Sequence, residues 1–248
     1  MRKYFYCFLL LYTTLSFSQI GGGEVIYKIS QSTNFTESLQ KENRTSTHSL
    51  VTGLSEHLKD IELSLVFNTD NSTFYTLKEA PMTNSGNPSK MQEFAINIAH
   101  TGNYFRRAGE SGVFYKPNSF FDSNITVHYQ DFEWELKDDQ KKIGNYICYK
   151  ATSSRIVKNS KGNFTHAMVA WYCPDIAVGY GPSRYGGLPG LILEIDDGEM
   201  VYKAINIVFK NKMPIPELKN KKITLVSEEE YEQLLLKKIG DFKKLMAN

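Results

Sequence analysis

Four groups of residues in this chain are of types that could do chemistry: scattered histidines, a late pair of cysteines, short runs of carboxylates, and aromatic and basic side chains among glycines. The five histidines, His48, His57, His100, His128 and His166, are far apart in sequence. None forms a His-Glu-x-x-His motif or another local ligand cluster, so no metal or other cofactor is expected. No Gly-x-Ser-x-Gly elbow is present to raise a serine nucleophile. Glu133 and Glu135 flank Trp134 and share one face of a strand. Paired carboxylates can exchange protons, but this spacing also marks the solvent face of an amphipathic strand, the reading preferred here. Asp196-Asp197-Gly198-Glu199 has the length of a hairpin turn rather than of a calcium loop. No catalytic residue is therefore assigned.

The densest group lies in Gly179 to Ile195. Gly179, Gly181, Gly186 and Gly187 permit a tight, irregular turn. Pro174 ends the strand before it, because proline has no N–H for a ladder. Leu188-Pro189-Gly190 makes a second turn, and the apolar run from Leu191 enters a strand buried on both faces. A phosphate cradle is disfavoured: no Gly-Lys-Ser/Thr follows, and a strand stands where a helix N-terminus would be needed. The segment reads first as a shaped β corner. Trp171, Tyr180, Arg184 and Tyr185 are its candidate contacts with a ligand or partner.

The elements that would position these residues are mostly strands. Residues 24–30 alternate as a first strand, and 31–60 read as a polar loop or a long β excursion. Ile61–Phe67 and Thr73–Leu77 form a hairpin across Asn68-Thr69-Asp70-Asn71. Residues 81–90 read as a polar loop. Met91–Ala99 fits helix or strand spacing, and strand is preferred. Asn103–Ala108 and Val113–Lys116 make a second hairpin. Thr126–Leu136, Tyr146–Ile156, Thr165–Cys173, Leu191–Ile195 and Met200–Lys210 follow as strands. One helix is expected, at about 228–246. Ser227 and Glu230 give it a capping box, and Tyr231, Leu234, Leu235, Ile239, Phe242 and Leu245 share a face that should pack on the sheet. The fold class expected is α+β and mostly β: a large twisted antiparallel sheet, closed as far as a half-barrel, with this C-terminal helix.

The N-terminus bears on compartment. Arg2 and Lys3 precede an uncharged apolar run, and Ser16-Phe17-Ser18 offers small residues for a cut before Gln19, so residues 1–18 read as a secretory signal peptide. Residues 19–248 then form a single domain. Removing Arg2 and Lys3 takes the 29 basic residues to 27, equal to the 27 acidic ones. A formally neutral chain is not a nucleic-acid binder. Cys7 leaves with the leader, and Cys148 and Cys173 remain. In an oxidising envelope compartment they read as one disulfide, with two buried free thiols as the alternative.

The run Gly187-Leu188-Pro189-Gly190-Leu191-Ile192 resembles the hexapeptide that names the GLPGLI family of Bacteroidota. Ala170-Trp171-Tyr172, Asp175-Ile176, Gly181-Pro182 and Tyr185 resemble the family's lead-in. Trp134-Glu135-Leu136, Lys142-Ile143-Gly144 and Tyr146 to Thr152 resemble its middle block. Cys173 stands where a small polar residue is usual, and Ala177 where proline often follows. The resemblance implies an exported envelope protein, periplasmic, associated with the outer membrane or secreted, of undetermined biochemistry and thought of beside outer-membrane transporters. It carries over no catalytic residue. The expected function is binding or accessory, toward an outer-membrane transporter or an apolar, peptide or lipid-like ligand. An envelope hydrolase or peptidase with a dispersed site is the alternative, and a purely structural protein the third reading.

Overall fold

The computed structural model describes residues 21–33, 37, 45–70, 73–79, 89–107, 109–118, 124–159, 162–216 and 224–247. The proposed leader and most of the loop expected at 81–90 lie outside them. Twelve strands form one sheet. In chain order they are β1 (Gly22–Gln31), β2 (Glu62–Asn68), β3 (Thr73–Glu79), β4 (Gly102–Arg106), β5 (Val113–Pro117), β6 (Ile125–Tyr129), β7 (Glu135–Ile143), β8 (Tyr146–Asn159), β9 (Gly162–Cys173), β10 (Leu191–Asp196), β11 (Met200–Lys210) and β12 (Thr224–Ser227). Among the described residues the helices α1 (Thr45–Leu58), α2 (Lys90–Ala99) and α3 (Glu228–Ala247) accompany them.

The strand order is β12-β6-β5-β4-β3-β2-β1-β11-β10-β9-β8-β7. Neighbours pair antiparallel except β12 with β6, which run parallel. The expected class is therefore observed: mostly β, one open twisted sheet and a C-terminal helix. The order also shows how far the sheet curls. β6 and β7 lie toward opposite ends of it, yet only residues 130–134 join them. Such a connection spans ~20 Å at full stretch. The two ends of the sheet must therefore approach each other without pairing.

The largest buried cluster draws on β1, β2 and β8–β10. Val25, Tyr27, Leu63, Phe67, Met168, Leu191, Ile192 and Ile195 are among its side chains with essentially no exposure. A second, smaller cluster of Val113, Tyr115, Val127, Tyr129 and Tyr231 joins β5 and β6 to α3. Tyr104 packs against both.

Several expectations need correction. Residues 31–60 are not simply loop or strand, because α1 occupies 45–58. Leu54 and Leu58, one helical turn apart, are buried. The helical alternative holds at Met91–Ala99. Ser89 caps α2 and Gln92 returns the bond to the Ser89 N–H, a complete capping box. Ala95 and Ala99 face inward, while Phe94 is 42% exposed, so the apparent alternation of Phe94, Ile96 and Ile98 marks no single face. The strand expected at 126–136 is divided. β6 ends at Tyr129 and β7 starts at Glu135, on opposite sides of the curled sheet. β7 and β12 were otherwise unread.

At the C-terminus the capping box forms, with Glu230 N–H donating to Ser227 Oγ and Ser227 N–H to Glu230 Oε2. Tyr231 is buried and Leu234 is largely open. Ile239, Phe242 and Leu245 lie outside the described side chains.

Candidate functional site

The Gly/Pro segment folds as a plug across the interval that the sheet leaves unpaired. Tyr180 bridges to Gly186, Gly187 N–H donates to Gly179 O, and Ile192 N–H to Tyr180 O. Ser183 and Gly187 take positive φ, 54° and 82°. Gly190 sits against the carbonyl of Cys173, and a Cβ there would lie 2.3 Å from that oxygen. Distant elements hold the segment through side chains. Tyr27 of β1 donates to Ile192 O at 2.7 Å. Trp134, on the connection between β6 and β7, donates to Gly186 O at 2.8 Å. Its neighbour Phe132 stacks on Tyr185, with ring centroids 5.5 Å apart.

This geometry places the four candidate residues. Tyr180 is buried, and its hydroxyl donates to Asn68 O. Tyr185 is buried, and its hydroxyl donates to Asp197 Oδ2 at 2.6 Å. Neither projects from the corner. Arg184 is partly buried and makes a two-pronged pair with Glu228 at 2.7 and 3.1 Å. Its guanidinium lies 3.9 Å from the Tyr129 ring centroid and 4.8 Å from that of Phe132. Trp171 is half-buried on β9, with the Lys141 ammonium over its ring. Lys141 also pairs with Glu194. Trp171 is thus on a different part of the sheet from the other three. Leu188 and Leu191 to Leu193 are buried.

Arg184 leads to a cleft of about 650 Å³ between α3 and the β4–β6 end of the sheet. Its lining is Tyr104 from β4, Tyr115 and Pro117 from β5, Asn118, Tyr129 from β6, and Tyr231 and Leu235 from α3. Asn97, His100 and Thr101 close the side nearest α2. Antiparallel register sets Tyr104 opposite Tyr115, and their rings stack at 4.7 Å. Tyr231 meets Tyr115 edge-on at 6.0 Å.

The cleft carries no net charge. Burial raises the hydroxyl pKa of Tyr115, Tyr129 and Tyr231, so all three stay protonated. Burial lowers the pKa of His100 below its ordinary value, against a smaller opposing effect of its bond to Asn103. The hydrogen bonds fix its neutral form. Asn103 Oδ1 also receives the Thr76 hydroxyl, so it acts as acceptor and His100 Nε2–H donates to it at 3.0 Å. Nδ1 then accepts from Asn118 Nδ2 at 3.3 Å. Both ring nitrogens are occupied, which leaves His100 poorly placed as a general base. The charge of Arg184 beneath Tyr129 is balanced by Glu228.

A second, more open hollow is bordered by Asp131, Phe132, Glu133, Trp134, Glu135 and Thr152 to Ser154. Its carboxylates are not gathered into an acid–base pair. Arg106 bonds Asp131 at 2.6 Å, Lys137 pairs with Glu135, and Glu135 is exposed. Burial pushes Asp131 up, but Arg106 and the Gly112 N–H outweigh it and hold its carboxyl below the usual range.

Cys148 and Cys173 are fully buried and free; no disulfide joins them in the structure. They are nevertheless neighbours. The β8–β9 register runs to Tyr149 opposite Tyr172, so the next residues outward are Cys148 and Cys173.

The comparisons with known proteins agree with this architecture. The model of the Porph_ging family, described as a protein of unknown function, matches residues 162–194. That short stretch takes in β9 and the Gly/Pro segment and fits a Bacteroidota family of unknown function. No curated protein matches in sequence. Two solved structures of PNGF-II, in different space groups, are similar to 88% of the chain. Their TM-scores are 0.52 and 0.51, at 18% and 16% identity. The matched regions are 33% and 34% of the PNGF-II chains, so this chain spans about a third of their length. At that identity the likeness shows the fold.

Sequence reasoning did not single out Asn97, His100, Asn118 or the four tyrosines that line the cleft. The signal available was the hairpin pairing of Tyr104 with Tyr115. Tyr231 was visible as part of an apolar helix face, but no local spacing tells where that face docks.

Proposed function

We propose that this chain is an exported cell-envelope protein of the GLPGLI type whose task is binding. Its ligand is small and uncharged, with an apolar face, such as a short peptide segment or a lipid-like group, held in the tyrosine cleft. The observation that carries the reading is the cleft itself. Its volume falls within the range of small-molecule sites, roughly 300–1,000 Å³. Aromatic faces and Leu235 supply apolar contact, while the side-chain amides of Asn97 and Asn118 supply orienting hydrogen bonds. A charged ligand would enter without an opposite charge in the lining and would lose its hydration. The envelope assignment rests on the leader-like residues 1–18 and on the Gly187–Ile192 hexapeptide. An outer-membrane transporter as neighbour follows from that resemblance alone.

The test is recovery of bound small molecules. The protein is isolated from native envelopes under mild conditions, denatured, and the released compounds are identified by mass. Asn97→Trp places a large ring at an exposed position of the lining. The native chain should release a neutral compound that the variant does not, with the two melting within about 2 °C of each other. No released compound, or equal release from both, would remove the cleft as the site.

A further inference from the structure

Two buried thiols, Cys148 and Cys173, lie at the root of the Gly/Pro segment. We propose that Cys148 and Cys173 form a dithiol clasp that a disulfide-bearing oxidant closes into a cross-strand disulfide. The proposal is independent of the ligand reading.

Two observations support it. The first is register: the β8–β9 ladder runs to Tyr149 opposite Tyr172, which leaves Cys148 and Cys173 as the next facing positions. Directly opposed residues in such a ladder stand ~4.5–5.5 Å apart at Cα, within the range a disulfide spans. The second is shared burial: both side chains are fully buried in the same apolar cluster. Each thiol shifts the ionisation of the other, as neighbouring sulfurs do. The other ionisable groups facing the pair are Lys141, Glu194, Asp175 and Tyr146.

The chemistry is thiol–disulfide exchange. One of the two cysteines, as its thiolate, attacks one sulfur of the oxidant, breaks its S–S bond and expels a thiolate. The other loses its proton and attacks the protein sulfur of that mixed disulfide, expelling the second thiolate. Two protein thiols give up two electrons, and one oxidant disulfide becomes two thiols, which carry away the protons. Both sulfurs are buried in the folded chain, so exchange precedes the final closure of β8 on β9 or follows its fraying. Cys173 adjoins Pro174, and its carbonyl packs on Gly190. The clasp therefore ties both ends of the segment from 174 to 190 to β8.

The experiment uses the full chain carrying Cys7→Ser, refolded from denaturant with glutathione disulfide and analysed by intact mass and non-reducing peptide mapping. The expected product is two hydrogens lighter than the reduced chain, with the Cys148 and Cys173 peptides joined. Two free thiols after refolding would overturn the clasp.

Discussion

The two buried clusters of this molecule treat tyrosine in opposite ways. In the large one, tyrosine hydroxyls serve as pins. Tyr27 bonds Ile192 O, Tyr180 bonds Asn68 O, and Tyr185 bonds Asp197, the first two reaching across wide gaps in sequence. In the small one, Tyr104, Tyr115, Tyr129 and Tyr231 surround a space. A pinned tyrosine rigidifies, because its buried hydroxyl has one satisfactory position. Tyr115 of the small cluster is held as well, its hydroxyl donating to Thr101 O at 3.0 Å, but these tyrosines turn ring surface toward a cleft, where a ligand can use it. Tyr75 stands between the regions, near Tyr27 and Tyr104. Its buried hydroxyl has no partner among the described residues.

The largest expected effect is in the pinned region. Leu191 is fully buried opposite Cys173 at the start of β10. Leu191→Ala should lower unfolding free energy by about 3 kcal/mol, through lost apolar burial and the cavity left behind. Denaturant titration measures it, and a loss under about 1 kcal/mol would mean the segment is not integral to the core. Gly190→Ala comes next. Its Cβ would meet backbone rather than a yielding side chain, so about 2 kcal/mol should be lost as strain.

A pair of hydroxyl deletions sharpens the contrast. Tyr27→Phe should cost about 1 kcal/mol, because it strips a partner from a buried carbonyl. Tyr75→Phe should cost nothing or stabilise slightly, because it removes a buried hydroxyl that has no partner. Equal losses in the two variants would show that pinning is not what separates them.

The pinned region was the more legible in the sequence. The turn glycines, Pro174 and the apolar run from Leu191 carry their structural meaning locally, so the buried corner could be read from them. The capping box of α3 was legible for the same reason. What the tyrosines of the corner touch was not, because the partners of Tyr180 and Tyr185 depend on how the sheet curls. In residues 126–136 the apolar positions change phase across Gln130-Asp131, from Val127 and Tyr129 to Phe132, Trp134 and Leu136; that is the local sign of a break, but it does not say that the chain crosses there from one end of the sheet to the other. The cleft depends on that curl and on where α3 docks, so its lining could not be assembled from spacing. At Met91–Ala99 the alternation was a coincidence. The polar cap at Ser89 and Gln92 decided the conformation.

The smallest effect tests the neutral character assigned to the cleft. Burial holds the folded pKa of His100 below its ordinary value. The unfolded chain therefore takes up this proton first as pH falls, at about 6.5. Stability should decline from neutral pH downward as the unfolded state binds the proton alone, and the decline should level off below the folded pKa. His100→Gln removes the titration while keeping an amide able to bond Asn103 or Asn118. Denaturant midpoints at neutral and mildly acidic pH should then differ less in the variant than in the native chain. Equal pH dependence in the two chains would mean that burial leaves the His100 ring unperturbed, and a native chain that gains stability relative to the variant as pH falls would mean that His100 is charged when folded. Its ring would then have to donate from both nitrogens, and the Asn118 amide would have to turn its oxygen inward. That rearrangement would give the cleft a positive wall, and its expected ligand would change from neutral to anionic.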